Sequence, residues 1–253
     1  MPTWNPEQYL KFADHRLRPA LDLVARVPDR DPRVIWDLGC GTGTPTALLR
    51  DRWPLADIHG LDSSADMLDK VESIDRVDWV LGDIATWEPP QPVDMIFANA
   101  SLHWLDDHAA LFGRLIGFLA PRGTLAVQMP RNHGEPSHQI LYETARSDRW
   151  SSRVAHLIRQ APVLPPTAYH EMVRPMSTEL DVWETVYLQQ MTGPDPVAAF
   201  TRGSAVRPFL DALGDDGDDF FADYSARLRP AYLAGDDGIT LFSFRRVFIV
   251  ATV

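Results

Sequence analysis

The stretch Val34-Ile35-Trp36-Asp37-Leu38-Gly39-Cys40-Gly41-Thr42-Gly43 decides the fold. An apolar run closes on an acid and passes directly into glycines at every second position. Glycine tolerates positive φ and has no Cβ, so such a turn lets backbone approach a ligand, and the helix that follows offers N–H groups at its first turn. The spacing discriminates between ligands. A dinucleotide turn needs its third glycine three positions after the second. Here that position holds Thr44, and Gly43 comes one residue early. A nicotinamide-type turn is therefore the weaker reading.

Outward from the turn, strand-like and helix-like segments alternate, the pattern of a parallel sheet covered by helices. Strands are expected at 34–38, 57–62, 77–81, 93–98 and 124–129. Helices are expected at 45–52, at 109–119, and from a Ser63 or Ser64 cap through Val71. Beyond Pro130 proline and charge rise, and the segment to Asp181 reads as irregular structure with short helices. A sixth strand is expected at 182–188. Asp195-Pro196 opens a helix that Gly203 ends, and Pro208 opens another that Gly214 ends. The run Asp215-Asp216-Gly217-Asp218-Asp219 reads as a solvated loop, because it lacks the spacing and closing glutamate of a calcium loop. A helix at 220–233 and a closing strand at 241–253 complete the chain. The expected fold class is α/β in a single domain. Residues 30–130, 182–191 and 240–253 form its sheet core, and 1–29, 131–181 and 192–239 form cap and substrate-recognition segments.

Composition narrows the function classes. The 253 residues are 45% hydrophobic and can bury one large core. A formal net charge of -11 argues against a partner held by phosphate neutralisation, so no nucleic acid is expected. Cys40 is the one cysteine and cannot form an internal disulfide. No stretch reads as a signal peptide or is apolar for long enough to span a bilayer, which makes a cytoplasmic protein without a membrane partner the expectation. No obligate protein partner is evident.

Open parallel sheets bind ligands outside the carboxyl ends of their strands. Asp62 closes the second strand, where a carboxylate can accept from both hydroxyls of a ribose; capping the helix from Ser63 onward is the alternative. Asp83 and Ile84 follow the third strand, where an acid can accept from an adenine amino group and an apolar side chain can cover the ring; a plain turn aspartate is the alternative. Asn99 closes the fourth strand. With Asp37, Gly39, Gly41 and Gly43, these positions resemble in order, spacing and type the cofactor site of class I S-adenosylmethionine (SAM)-dependent methyltransferases. That resemblance covers roughly residues 30–130. It implies a Rossmann-like sheet of seven strands whose final strand runs antiparallel, and SAM lying across the glycine turn. No metal is expected, because the segment around His133 and His138 lacks further histidines or cysteines at ligand spacing. Asn99-Ala100-Ser101-Leu102 departs from the Asn/Asp-Pro-Pro-aromatic tetrad of nucleic-acid amino-methyltransferases of this fold, which disfavours a base as acceptor.

Flanking segments narrow the likeness. Trp4-Asn5-Pro6-Glu7-Gln8-Tyr9-Leu10, Asn99 to Trp104, Thr201-Arg202-Gly203 with Val206-Arg207-Pro208-Phe209-Leu210, and Leu241 to Arg246 together are similar to the trans-aconitate methyltransferase family. The similarity implies esterification of one carboxylate of a small polycarboxylic acid, and an N-terminal helix whose Trp4 and Tyr9 line the pocket. The residues can support such an acceptor. Arg202, Arg207, Arg245 and Arg246 concentrate guanidinium forks, which match carboxylates in pairs, in an acidic half of the chain. Surface pairing with Asp195 or Asp211 is the alternative for Arg202 and Arg207. Because successive residues of a strand face opposite sides, at most one of Arg245 and Arg246 serves a given pocket. His103, beside Trp104, is placed to position an acceptor, with a structural histidine as the alternative, and His133 belongs to a loop that can close over the acceptor. A thioester-linked dicarboxylate, a natural-product hydroxyl, or a non-catalytic SAM or metabolite sensor are the competing readings.

Overall fold

Val34–Leu38 forms β1, whose residues from Ile35 onward are buried. Its two neighbours run parallel to it: β2 (Asp57–Asp62) pairs Val34 with Asp57, and β4 (Val93–Asn99) pairs Ile35 with Met95. The computed structural model describes residues 17–159 and 162–253. Trp4 and Tyr9 lie outside the described residues. With β3 (Val77–Leu81), β5 (Leu119–Pro130), β6 (Glu179–Met191) and β7 (Thr240–Thr252), the strands make one seven-stranded sheet in the order β3-β2-β1-β4-β5-β7-β6. β7 runs antiparallel to β5, from Arg246 opposite Pro130 to Thr252 opposite Thr124. The α/β class, the seven strands and the reversed final strand are as expected from the sequence.

Local chemistry explains where elements begin and stop. Gly43, at φ 80°, caps a helix over Thr44–Arg52 that carries proline in its first turn. The Ser64 hydroxyl accepts from the Met67 N–H and starts a helix at Ala65–Leu68. This helix ends short of Val71, because the chain tightens: the N–H groups of Lys70 and Val71 donate to carbonyls three residues back, at Met67 and Leu68. β5 begins five residues before the expected Thr124. Its register against β4 shifts between Val93 and Met95, and Arg122 there adopts φ 68°. Pro121, Arg122 and Gly123 sit in this irregularity, so their turn-like chemistry disguises a strand. Gly217–Leu228 replaces the expected helix at 220–233 and takes in part of the acidic run. That run is not a loop. Gly214–Asp216 is a 3-10 turn, and Asp218 and Asp219 occupy the first helical turn, where carboxylates oppose the positive end of the helix dipole.

The described chain resolves into two compact units. One comprises residues up to Pro130, Val163–Thr185 and Arg246–Val253; the other comprises Arg131–Pro162 and Val186–Arg245. In the first, Leu38, Ile96, Leu125, Val127 and Ile249 pack with Phe112 and Leu115 of the helix His108–Gly117. Tyr169, from the helix Pro166–Val173, joins this core fully buried, its hydroxyl 2.6 Å from His108 Nδ1. Residues 163–181, read from the sequence as cap, thus belong with the sheet. The second unit packs Trp150, Phe209, Phe220, Tyr224 and Phe242 into its own core, with Phe209 stacked on Phe220 at 5.7 Å.

Candidate functional site

The three glycines of the turn have different tasks. Each has positive φ: 78° at Gly39, 57° at Gly41 and 80° at Gly43. A Cβ on Gly39 would lie 2.3 Å from Ser101 Cβ, and one on Gly43 would lie 2.6 Å from the Trp79 ring. A Cβ on Gly41 would meet nothing within 4 Å. The outer glycines therefore permit close packing, and the middle one leaves open ground beside bare backbone. The turn is anchored to the end of β2, because the N–H groups of Gly39 and Cys40 both donate to the Leu61 carbonyl, at 2.7 and 3.0 Å. Ser101 ties it to β4 by donating to the Leu38 carbonyl at 2.5 Å.

Asp62 stands beside that open ground. Its carboxylate accepts from the Gly41 N–H at 2.8 Å and from the Ser64 N–H at 2.9 Å, which holds it rigidly while the residue stays partly exposed. It is both cap and rim of the turn. Ser63 is exposed next to it. Asp37 lies beneath, buried, accepting from the Thr46 hydroxyl at 2.6 Å. Burial pushes its carboxyl up to about 7, helped by the nearby Asp62 and opposed by the Thr46 bond. Ile84 reaches the same turn, its Cδ1 3.6 Å from where a Gly39 Cβ would be. Asp83 is exposed and accepts from the Ala85 N–H at 2.8 Å, a turn-forming contact.

A second group gathers at the carboxyl ends of β4 and β5. Gln128 Nε2 donates to Asn99 Oδ1 at 2.6 Å, and Gln128 Oε1 accepts from the Arg246 guanidinium at 2.8 Å. Gln128 is fully buried and Arg246 nearly so. From sequence Asn99 and Arg246 are separate candidates, and the amide that joins them is not among them. The signal was there: one amide stands in the apolar run Leu125-Ala126-Val127-Gln128-Met129. His103 is half-buried in a short 3-10 turn after β4, its ring 4.8 Å from that of Trp104.

The remaining candidates belong to the second unit. Arg202 pairs with Asp218 at 2.6 Å and lies over the Phe221 ring, and Arg207 pairs with Asp211 at 3.0 Å. Arg229 takes Asp195. Arg245 donates from its backbone N–H to Asn132 Oδ1 and from Nε to Glu135 at 3.1 Å. His133 Nδ1 lies 2.7 Å from the Tyr142 hydroxyl, and the His138 ring stands edge-on to it at 5.1 Å. Burial lowers both histidines, His133 to about 4 with the Arg159 charge assisting, and His138 to about 3 with His133 assisting. Both are therefore neutral at pH 7.

This arrangement fits the cofactor implied by the sequence: open backbone at Gly41, a fixed carboxylate at its rim, an apolar side chain abutting the turn and an amide at the next strand end. The comparisons with known proteins agree. A methyltransferase domain model matches residues 35–123. The trans-aconitate 2-methyltransferase of Azoarcus sp. strain BH72 is 45% identical over 99% of both chains, and that of Streptomyces avermitilis is 45% identical over 99% of this chain and 97% of its own. Among solved structures, the YcgJ protein from Bacillus subtilis superposes with a TM-score of 0.60 at 13% identity, covering 93% of this chain and 97% of that one. Phosphoethanolamine N-methyltransferase 2 of Haemonchus contortus gives 0.55 at 16% identity, with 99% of this chain spanning 60% of that protein. At these identities the superpositions speak to fold, while the full-length relatives speak to family. The chain belongs to the trans-aconitate 2-methyltransferase family of SAM-dependent methyltransferases.

Proposed function

We propose that this enzyme esterifies one carboxylate of trans-aconitate. The observation that carries the reading is Arg246, a buried guanidinium that the antiparallel β7 brings opposite Pro130, at the carboxyl end of β5. The permanent charge and planar fork of a guanidinium at that edge suit an anionic, carboxylate-bearing acceptor. In this reading Gly41 backbone and Asp62 hold the ribose side of SAM, Asp83 and Ile84 the adenine, and Asn99 the methionine end. Bound SAM supplies an activated methyl group on a sulfonium centre.

An acceptor carboxylate is ionised at neutral pH and needs no strong base. The side chains instead orient it and exclude water, a contribution worth about 7 to 11 kcal/mol in model reactions. Arg246 supplies charge and direction, and His103 a positional contact. Arg202, Arg207 and His133 are further candidates for the acceptor, the two arginines each now held by an aspartate of the second unit; Arg245, on the other face of β7 from Arg246, is held by Glu135. The single-domain organisation, a cytoplasmic location, and the absence of nucleic-acid, membrane or obligate protein partners belong to the same reading. The acidic charge supports the exclusion of nucleic acid, and the single cysteine fits a reducing compartment. No described helix is long and apolar enough to cross a membrane.

The test is methyl transfer from SAM to trans-aconitate, cis-aconitate, citrate, a malonyl thioester and a phenolic alcohol, with products identified by mass spectrometry. A monomethyl ester formed with highest kcat/KM from trans-aconitate is expected. A preference for the thioester or the alcohol would overturn the acceptor assignment, and absence of turnover with all of them would favour a sensor.

A further inference from the structure

Arginine has N–H donors and no acceptor, and this one-sidedness propagates. Gln128 must turn its Oε1 toward Arg246, so its Nε2 points the other way and donates to Asn99 Oδ1. Asn99 must then turn its oxygen inward, which leaves its Nδ2 amino group as the outer end of the chain of bonds. Flipping either amide would set donor against donor around a fully buried Gln128, where unsatisfied polar groups are most costly. The backbone builds this line deliberately. Asn99 is in register with Gln128, and Gln128 lies opposite Phe248, two residues from Arg246 on the same face of β7. Ala100 leaves β4 at φ 55° and donates its N–H to the Gln128 carbonyl at 2.9 Å, which fixes where the strand stops.

We propose that Arg246, acting through Gln128, fixes the polarity of the Asn99 amide, so that this partly exposed residue offers an NH2 donor to a carboxylate oxygen. Within the function proposed above, on which this inference rests, two carboxylates can take it: that of the acceptor or that at the methionine end of SAM. Gln128 is a positioning residue here. It reaches no ligand itself, yet it decides whether Asn99 attracts or repels one.

The experiment inverts the polarity. In Gln128→Glu the carboxylate accepts from Arg246 at one end and from Asn99 at the other, so Asn99 must flip and present its oxygen. Gln128→Leu leaves Asn99 free to turn. Melting temperature reports folding, and calorimetry reports binding of S-adenosylhomocysteine and, on the loaded protein, of trans-aconitate. The glutamate variant should lose a factor of about ten to a hundred and fifty in affinity for one of the two ligands, with the leucine variant less impaired. The ligand that is lost identifies the source of the carboxylate. A purely structural Gln128 would give the opposite order, with leucine the more damaging, and that order would overturn the proposal. So would wild-type affinity for both ligands in Gln128→Glu. Should that variant fail to fold, Asn99→Asp presents the same reversed polarity from the more exposed end and is held to the same outcome. Failure of the wild type to methylate trans-aconitate would overturn the acceptor assignment alone, and the S-adenosylhomocysteine titration would still decide the relay.

Discussion

Gly39 and Gly41 lie two residues apart, yet their replacements should separate folding from binding. A Cβ at Gly39 collides with Ser101 at 2.3 Å, so Gly39→Ala should lower stability by about 1 to 3 kcal/mol through overpacking, read as a drop in Tm. Gly41→Val enters open space and suffers mainly the strain of a left-handed backbone, about 1 to 2 kcal/mol. It should fold and lose SAM affinity in calorimetry; retained affinity would remove the turn from the cofactor site. Asp37 gives a third residue-level expectation. Its folded carboxyl titrates near 7, well above the unfolded value, so the stabilisation from its bound proton is complete below about pH 4 and is lost as pH rises through 7. Asp37→Asn keeps an acceptor for Thr46 and removes the titration. Its stability advantage in urea unfolding should grow with pH, by on the order of 4 kcal/mol between pH 4 and pH 8. A constant difference would mean that Asp37 ionises normally.

At the scale of elements, position within a strand or helix ranks the arginines. Arg207 and Asp211 form an exposed pair four residues apart on a helix, worth about 0.3 to 0.5 kcal/mol, so Arg207→Ala should leave Tm nearly unchanged and raise KM for trans-aconitate only modestly. Arg246→Ala strands the buried Gln128 oxygen and should raise KM at least tenfold. Equal KM values for both variants and wild type would place the acceptor elsewhere. The same contrast explains what the amino-acid sequence reveals. β1, β2 and β3 are legible to the residue because apolar runs end in an acid or a glycine turn. Asp62 and Asn99 are legible because they close such runs. β5 is not, since a register shift places proline, arginine and glycine inside a strand. Gln128 stands out as an amide in an apolar run, but its partner lies 118 residues away and no local pattern encodes that contact. The acidic run reads as loop because its arginine partners, Arg149, Arg153 and Arg202, lie 70, 63 and 16 residues away, beyond any local pattern.

For the whole molecule, the two groups of site residues differ in how far apart their members lie along the chain. The glycine turn is closed by bonds spanning 9 residues, from Thr46 to Asp37, and 21 residues, from Gly41 to Asp62. The relay needs one span of 29, from Gln128 to Asn99, and one of 118, from Arg246 to Gln128. Loop closure grows costlier with length, and distant pairings form later in folding. The difference in distance is thus a difference in time. During refolding from urea, pulsed hydrogen exchange should find the Gly41 amide protected before those of β7, and simultaneous protection would contradict this order. In that order the refolding chain would own a closed glycine turn before it owned a donor for carboxylates, which waits on β7 docking against β5.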